Sequence, residues 1–130
     1  MTDRELLEYA AKAAGLRVGF EPDGKERGRY DLYWSHGHRQ LVWHNKSTGS
    51  EYPEPLFWNP LTDDGDALRL AVKLGINIDF GIFATQINCE IYDWAEDKVL
   101  VEWKEDGRKD PLAATCRAIT RTAAEIGKKL

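Results

Sequence analysis

The stretch Trp58-Asn59-Pro60-Leu61-Thr62-Asp63-Asp64-Gly65-Asp66-Ala67-Leu68-Arg69-Leu70 lies in the middle of the chain and decides how the fold is organised. Pro60 restricts the residue before it to an extended conformation. Three candidate N-cap residues follow, namely Thr62, Asp63 and Asp64. Asp66 forms an approximate capping box with Asp63, in which Asp replaces the usual Glu. The stretch therefore predicts the start of a helix, and it explains a structure rather than a reaction.

This central helix is predicted to run from about Asp63 to Leu74, with Gly75 directly after its last turn. Glycine tolerates the left-handed conformation that commonly closes a helix. Spacing of three and four residues places four apolar side chains on the inner face, namely Ala67, Leu68, Ala71 and Leu74. Arg69 and Lys73 are then predicted to point outward.

Two more helices are predicted near the ends of the chain. Residues 2–14 open with a Thr2–Glu5 capping box and end before Gly15. Asp110-Pro111 opens the last helix, with Asp as N-cap and Pro at the first helical position, and Gly127 is predicted to close it. Each helix carries one apolar stripe that another layer must cover.

Alternating apolar residues predict strands at 16–20, 76–82, 87–94 and 99–103, and a turn at Pro22-Asp23-Gly24 follows the first of them. Residues 29–44 predict a hairpin with a two-residue turn at His36-Gly37. In that register Leu32 faces Leu41, Tyr30 faces Trp43, and Trp34 faces Arg39. Residues 45–61 show no periodicity, which predicts a long connection that folds back on the body.

Together these elements predict an α+β fold in a single domain over residues 1–130. We expect a three-layer α/β/α-type sandwich, with three helices and a mostly antiparallel sheet of about five to six strands.

Composition narrows the class of protein. A chain of 130 residues with 42% hydrophobic content forms one globular domain. A net charge of −4 and a pI near 5.4 argue against binding to duplex DNA. No apolar run reaches the roughly 18 residues of a membrane span, and residues 1–5 do not resemble a signal peptide. We therefore expect a cytoplasmic protein without a membrane partner, in which Cys89 and Cys116 are buried free thiols.

The stretch from Trp58 to Ala67 resembles a group of small phage and prophage proteins, the phage ABA-sandwich family. The resemblance recurs in the opening helix at 2–7 and in the closing helix at 110–114 and 123–127. It implies an α/β/α layered fold, a phage gene and expression in the cytoplasm of a bacterial host. The family has no assigned reaction, so the resemblance implies no catalytic residues.

Motifs for metals and nucleophiles are missing or incomplete in the sequence. A calcium loop starting at Asp63 would need an oxygen ligand at its third position and Glu at its twelfth, where Gly65 and Leu74 stand. The three histidines, His36, His38 and His44, are close in sequence, but a strand of six residues would separate His44 from the others by about 20 Å. No nucleophile elbow, P-loop or H-E-x-x-H motif occurs. We therefore expect no catalytic residue, no metal and no cofactor.

The segment from Lys25 to Trp58 is the most suggestive of binding, because it is rich in aromatic and basic residues. Aromatic rings and guanidinium groups bind nucleobases, nucleotides and protein hot spots. The alternative is that the aromatic residues on the predicted inner face of the hairpin form core. The candidate binding residues are Arg29, Tyr33, Trp34, Arg39, His44, Tyr52, Phe57 and Trp58, whereas Thr62, Asp63, Asp64 and Asp66 are assigned to helix capping.

Three hypotheses about function follow. The leading one is a non-enzymatic phage accessory protein that binds a host protein or a small ligand and counters a host function or defence. The second is a protein that sequesters or hydrolyses a nucleotide, which requires the aromatic and basic residues to converge in a concave pocket. A flat aromatic patch would instead indicate a protein partner. The third is a structural or assembly role, with which a homo-oligomer would agree.

Overall fold

The computed structural model describes residues 1–20 and 29–130 of the chain. The helices are α1 (Asp3–Ala13), α2 (Asp64–Leu74) and α3 (Pro111–Lys129), with a short 3₁₀ turn at Ile82–Ala84. The strands are β1 (Val18–Gly19), β2 (Leu32–Ser35), β3 (Gln40–Ser47), β4 (Pro55–Trp58), β5 (Asn77–Asp79), β6 (Gln86–Asp93) and β7 (Lys98–Asp106). The predicted turn at Pro22-Asp23-Gly24 lies outside the described residues.

The described strands form two sheets. Sheet A has four strands in the order β1-β2-β3-β4, and sheet B has three in the order β5-β6-β7. The β1–β2 pair is parallel and the other pairs are antiparallel. The predicted α+β class with three helices and mostly antiparallel pairing is therefore confirmed for the described residues. The prediction of one sheet with about five to six strands is replaced by two separate sheets.

All three helices start at the residues that their capping signals predict. The Thr2 hydroxyl accepts the Glu5 N–H at 3.1 Å, and the Glu5 carboxylate accepts the Thr2 N–H at 3.3 Å. The Asp63 carboxylate accepts the Asp66 N–H at 2.8 Å, and Asp110 accepts the Ala113 N–H at 3.0 Å. Each bond satisfies a backbone donor that the first turn of a helix leaves free.

The buried face of α2 shares Ala67 and Ala71 with the predicted one, but Leu68 is not buried and Leu74 is only partly buried. Leu70 is buried, whereas Leu68, which was placed on the inner face, is 61% exposed. The helix is turned so that Asp66, Ala67, Leu70 and Ala71 are buried. In this orientation the Asp66 carboxylate accepts the Asn59 N–H at 2.9 Å and ties the first turn to the chain that precedes it.

Gly127 does not end the last helix, as the sequence suggests, because α3 continues to Lys129. It lies where α3 meets α1. A Cβ atom added at Gly127 would overlap the Tyr9 carbonyl oxygen, and the Tyr9 carbonyl carbon would be only 2.7 Å away. The absence of a side chain therefore serves close approach of two backbones and not helix termination.

The predicted hairpin forms, but its register and turn are different. Trp43 lies opposite Leu32, and Leu41 lies opposite Trp34. The turn has four residues, 36–39, because the Arg39 N–H donates to the Ser35 carbonyl at 2.7 Å and Arg39 adopts a φ of 55°. Side chains alternate between faces with a period of two, so this shift by two residues leaves the paired strand residues on their predicted faces. Arg39 lies in the turn instead, and the Tyr30 ring stacks at 6.4 Å from the His44 ring and not on the predicted inner face.

Two further strand predictions are corrected. The connection from 45 to 61 contains β4, which pairs with β3 and places Trp58 opposite Leu41. In the segment 76–82, by contrast, only Asn77–Asp79 forms a strand. Phe80 and Ile82 are 47% and 75% exposed, so the predicted apolar face does not extend that far.

Helix α3 connects the parts of the fold. It contacts α1, α2, β6 and β7. One hydrophobic cluster runs through the described residues and includes Leu7 and Ala10 of α1, Leu32 and Leu41 of sheet A, Leu70 of α2, Ile87 and Cys89 of sheet B, and Ile119 and Ala123 of α3. A single core of this kind leaves the flanks of α2 and sheet A to form concave surface.

Candidate functional site

A groove of about 300 Å³ lies beside α2, between this helix, the end of α1 and sheet A. We call it the indole groove. Its lining combines two tryptophans, three cations and three aliphatic side chains, namely Trp43, Trp58, Lys46, Arg69, Lys73, Ala14, Leu16 and Leu70. Ligand sites in proteins are commonly apolar clefts of about 300–1,000 Å³ with a few convergent polar groups, and the groove has that make-up.

Sheet A brings the two indoles to one face. Trp58 lies opposite Leu41, and Trp43 is two residues further along β3, so both project to the side of the hydrophobic core. Trp58 is only 5% exposed, whereas Trp43 is half-buried and keeps part of its ring accessible. Trp58 therefore forms the base of the groove, and Trp43 forms a wall.

An irregularity in sheet A brings Lys46, the first of the three cations, to the groove. The β3–β4 register shifts between Val42 and Ser47, and such a bulge changes the direction in which a side chain points. The Lys46 ammonium lies 4.2 Å from the centroid of the Trp43 ring. The Lys46 ammonium thus covers the accessible face of this indole.

Helix α2 supplies the other two cations, Arg69 and Lys73, one turn apart. The Asp66 carboxylate accepts a hydrogen bond from the Arg69 guanidinium at 2.8 Å, and this bond raises the pKa of Arg69. Asp66 is only 7% exposed and its other oxygen accepts the Asn59 N–H, so the carboxylate is rigidly held. Asp66 therefore positions Arg69 at the groove.

The groove carries excess positive charge. Within residues 1–20 and 29–130, neither Lys46 nor Lys73 forms an ion pair. No acidic side chain of the described chain lines the groove, whereas four other concave sites on the described surface each include at least one. Two cations at i and i+4 of a helix repel each other, so an anion placed between them would be stabilised.

A second group of candidate residues lies on the opposite, outer face of sheet A. The Tyr33 and His44 rings are 4.7 Å apart, and the rings of Phe57 and His38 are 5.3 Å apart. Val42 lies between Tyr33 and Phe57 in the sheet and is 1% exposed. This outer aromatic cluster is a partly exposed surface on which the His44 Nε2 atom is buried without a hydrogen-bond partner in the described structure.

The remaining candidates lie elsewhere. The Arg4 guanidinium covers the Trp34 ring at 4.9 Å, so this tryptophan contacts α1 and not the groove. Arg29, Arg39 and Tyr52 are exposed and do not line the groove. Of the eight predicted binding residues, Trp58 is thus the one that lines the groove, while Tyr33, His44 and Phe57 gather on the outer face.

Sequence reasoning missed most of the groove. The sequence predicts Trp43 on the inner face of the hairpin and Arg69 and Lys73 as outward-facing, and Lys46 is not among the candidate binding residues. The available signal was the i, i+4 pair of cations on a helix that directly follows an aromatic and basic segment. Among the predicted caps, only Asp63 caps α2, while Asp64 accepts a weak hydrogen bond from the Cys116 thiol at 3.7 Å.

The two cysteines offer no activated nucleophile. Burial raises the pKa of the Cys89 thiol to about 12 and that of Cys116 to about 11. A thiol is reactive as a thiolate, and these values keep both in the neutral form. Among the residues described, no group of three or more His, Cys, Asp or Glu side chains could hold a metal ion. Likewise, none of the described helices is long and apolar enough to span a bilayer.

Comparisons of the chain with protein-family models, curated proteins and solved structures found no significant match. The resemblance to the phage ABA-sandwich family therefore stays a prediction.

Proposed function

We propose that this chain is a non-enzymatic binding protein whose ligand is a small molecule that combines a flat ring with negative charge. The observation that carries the proposal is the convergence of Trp43, Lys46, Arg69 and Lys73 in one groove that no described acidic side chain enters. Indole faces bind planar rings, and ammonium and guanidinium groups bind anions. The convergence of aromatic and basic groups is the feature that a ligand-sequestering protein requires.

The biological setting is proposed on the resemblance alone. We propose a phage accessory protein that acts in the cytoplasm of a bacterial host and counters a host function by withholding a small ligand. The layered α/β/α arrangement that the resemblance implies belongs to the same proposal.

The test is native mass spectrometry of the chain after expression in a bacterial host. We expect a small-molecule adduct that is lost in the Lys73→Glu variant, because this change reverses an exposed charge at the groove without touching the core. Lys98→Glu is the matched control, since Lys98 is exposed on β7 and does not line the groove. An adduct that both variants retain, or no adduct at all, would contradict the proposal.

A second candidate function is binding of a host protein through the outer aromatic cluster. It is favoured by the partial exposure of Phe57, at 37%, and by the aromatic pairs around it. Aromatic residues are enriched at the energetic centres of protein interfaces. In the same experiment, a stoichiometric host protein that is lost in Phe57→Ser and retained in Lys73→Glu would support this alternative and argue against the first.

A further inference from the structure

We infer that the ligand of the indole groove is a single nucleotide of the nucleoside monophosphate type, in which a planar base and a phosphate monoester are joined. This inference rests on the proposed function and narrows it to one chemical class. Three properties of the groove carry the inference: its count of uncompensated charges, the kind of cation that supplies them, and the position of Lys46 on Trp43.

The charge count favours a dianion. Asp66 compensates the charge of Arg69 at 2.8 Å, whereas Lys46 and Lys73 have no carboxylate partner within the described residues. The groove thus offers about two uncompensated positive charges. A phosphate monoester carries roughly −1.5 to −2 at neutral pH, and a carboxylate carries only one negative charge.

The cation types favour a tetrahedral anion. A lysine ammonium is a compact charge with three donors on a flexible stem, whereas arginine presents a planar fork suited to paired oxygens. Lys46 reaches the groove from sheet A, and Lys73 reaches it from α2, so the two ammonium groups approach from different elements. Three terminal phosphate oxygens can accept from both lysines and from the guanidinium nitrogens that Asp66 leaves free.

The N-terminus of α2 does not compete for the phosphate. The first turn of α2 is occupied by its own carboxylates, since Asp63 accepts the Asp66 N–H and Asp66 accepts the Asn59 N–H. Arg69 and Lys73 lie in the following turns of the same helix. The side chains of the groove therefore recognise the anion, and the affinity for the ligand should decrease steeply as the salt concentration rises.

The position of Lys46 connects the ring site to the phosphate site. Its ammonium lies over the Trp43 ring at 4.2 Å, the position that a stacked base would take. A base that stacks on Trp43 displaces this ammonium, and the freed Lys46 can then pair with the phosphate of the same ligand. A volume of about 300 Å³ is at the small end of the range for ligand pockets and suits one nucleotide rather than two.

The experiment is calorimetric titration of the full chain with AMP, adenosine, inorganic phosphate and 1-naphthoate, with quenching of tryptophan fluorescence as a second readout. We expect AMP to bind at least roughly tenfold more tightly than adenosine or phosphate, because it engages both parts of the groove. Lys73→Gln should weaken AMP binding by roughly tenfold and leave adenosine binding nearly unchanged. Lys98→Gln should affect neither.

The outcomes separate the two proposals. If 1-naphthoate binds as tightly as AMP, the groove binds aromatic anions in general, and the nucleotide inference is overturned while the proposed function stands. If adenosine binds as tightly as AMP, the phosphate part of the inference is overturned. If none of the four probes binds to the folded chain, both proposals are overturned.

Discussion

The contact between α1 and α3 at Gly127 yields a sharp prediction about stability. In an open helix, replacing Gly by Ala gains about 1 kcal/mol of helix propensity. At Gly127 the new Cβ would overlap the Tyr9 carbonyl oxygen and lie 3.1 Å from the Tyr9 Cα, so the backbones of α1 and α3 must separate. Overpacking costs about 1–3 kcal/mol, and backbone yields less readily than side chains.

Because the overlap is with backbone, we expect an overpacking cost near the upper end of that range, about 3 kcal/mol, which leaves Gly127→Ala less stable by about 2 kcal/mol after the gain in propensity. Urea denaturation followed by far-ultraviolet circular dichroism measures this as a lower midpoint at an unchanged slope. The matched control is Gly65→Ala in α2, where the nearest atoms are side-chain ends of Arg69 and Asp63 at 3.2 Å. Because the Arg69 end can move, whereas the Asp63 Oδ1 atom is held by its capping bond, we expect crowding and the gain in helix propensity to offset each other and the free energy of unfolding to change by less than about 0.5 kcal/mol. If Gly127→Ala is as stable as the native chain, the result would contradict the close contact between the α1 and α3 backbones at Gly127.

Three further predictions concern the caps, the pH dependence and the thiols. Asp63→Ala should lower the free energy of unfolding by about 1 kcal/mol because α2 loses its N-cap, whereas Thr62→Ala should change it by less than about 0.5 kcal/mol in the same urea titration. Equal effects of the two variants would argue against Asp63 as the cap of α2. The Arg17 N–H, which donates to the Asp31 carboxylate at 2.8 Å, holds the pKa of Asp31 below its ordinary value of 3.8. The charged Asp31 carboxylate therefore stabilises the fold above the unfolded-state pKa, and this contribution is lost as the pH falls through the lower folded-state pKa. We therefore expect Asp31→Asn to lower the urea midpoint at neutral pH and to leave it unchanged in strong acid. Burial raises the pKa of the Cys89 thiol to about 12 and that of the Cys116 thiol to about 11. We therefore expect neither thiol to react with a disulfide reagent at pH 8 in the folded chain, and both to react once the chain is unfolded. Rapid labelling of the folded chain would contradict their burial.

The helix boundaries show how far local signals reach. The caps at Thr2, Asp63 and Asp110 act on backbone donors only three residues away, so the sequence around them contains all the information that the first turn needs. The faces of the hairpin strands were predictable for a similar reason, since alternation depends only on spacing. The predicted register was wrong because a four-residue turn, with Arg39 in the left-handed conformation, replaced the expected two-residue one.

The groove could not be predicted because its parts lie far apart in the sequence. Trp43, Lys46 and Lys73 belong to a strand, a bulge and a helix, and only the tertiary structure, in which α2 and sheet A line the same groove, brings them together. The same holds for Gly127, whose role depends on a residue more than a hundred positions earlier in the chain.

The sequence by itself determined where helices start and which side of each hairpin strand faces the core, because capping and alternation are interactions between near neighbours. Only the tertiary structure decided that the strands divide into two sheets, that Leu70 rather than Leu68 is buried, and that cations meet indoles beside α2. Those outcomes depend on how whole elements rotate and pack against each other, and that packing depends on all of the buried side chains together.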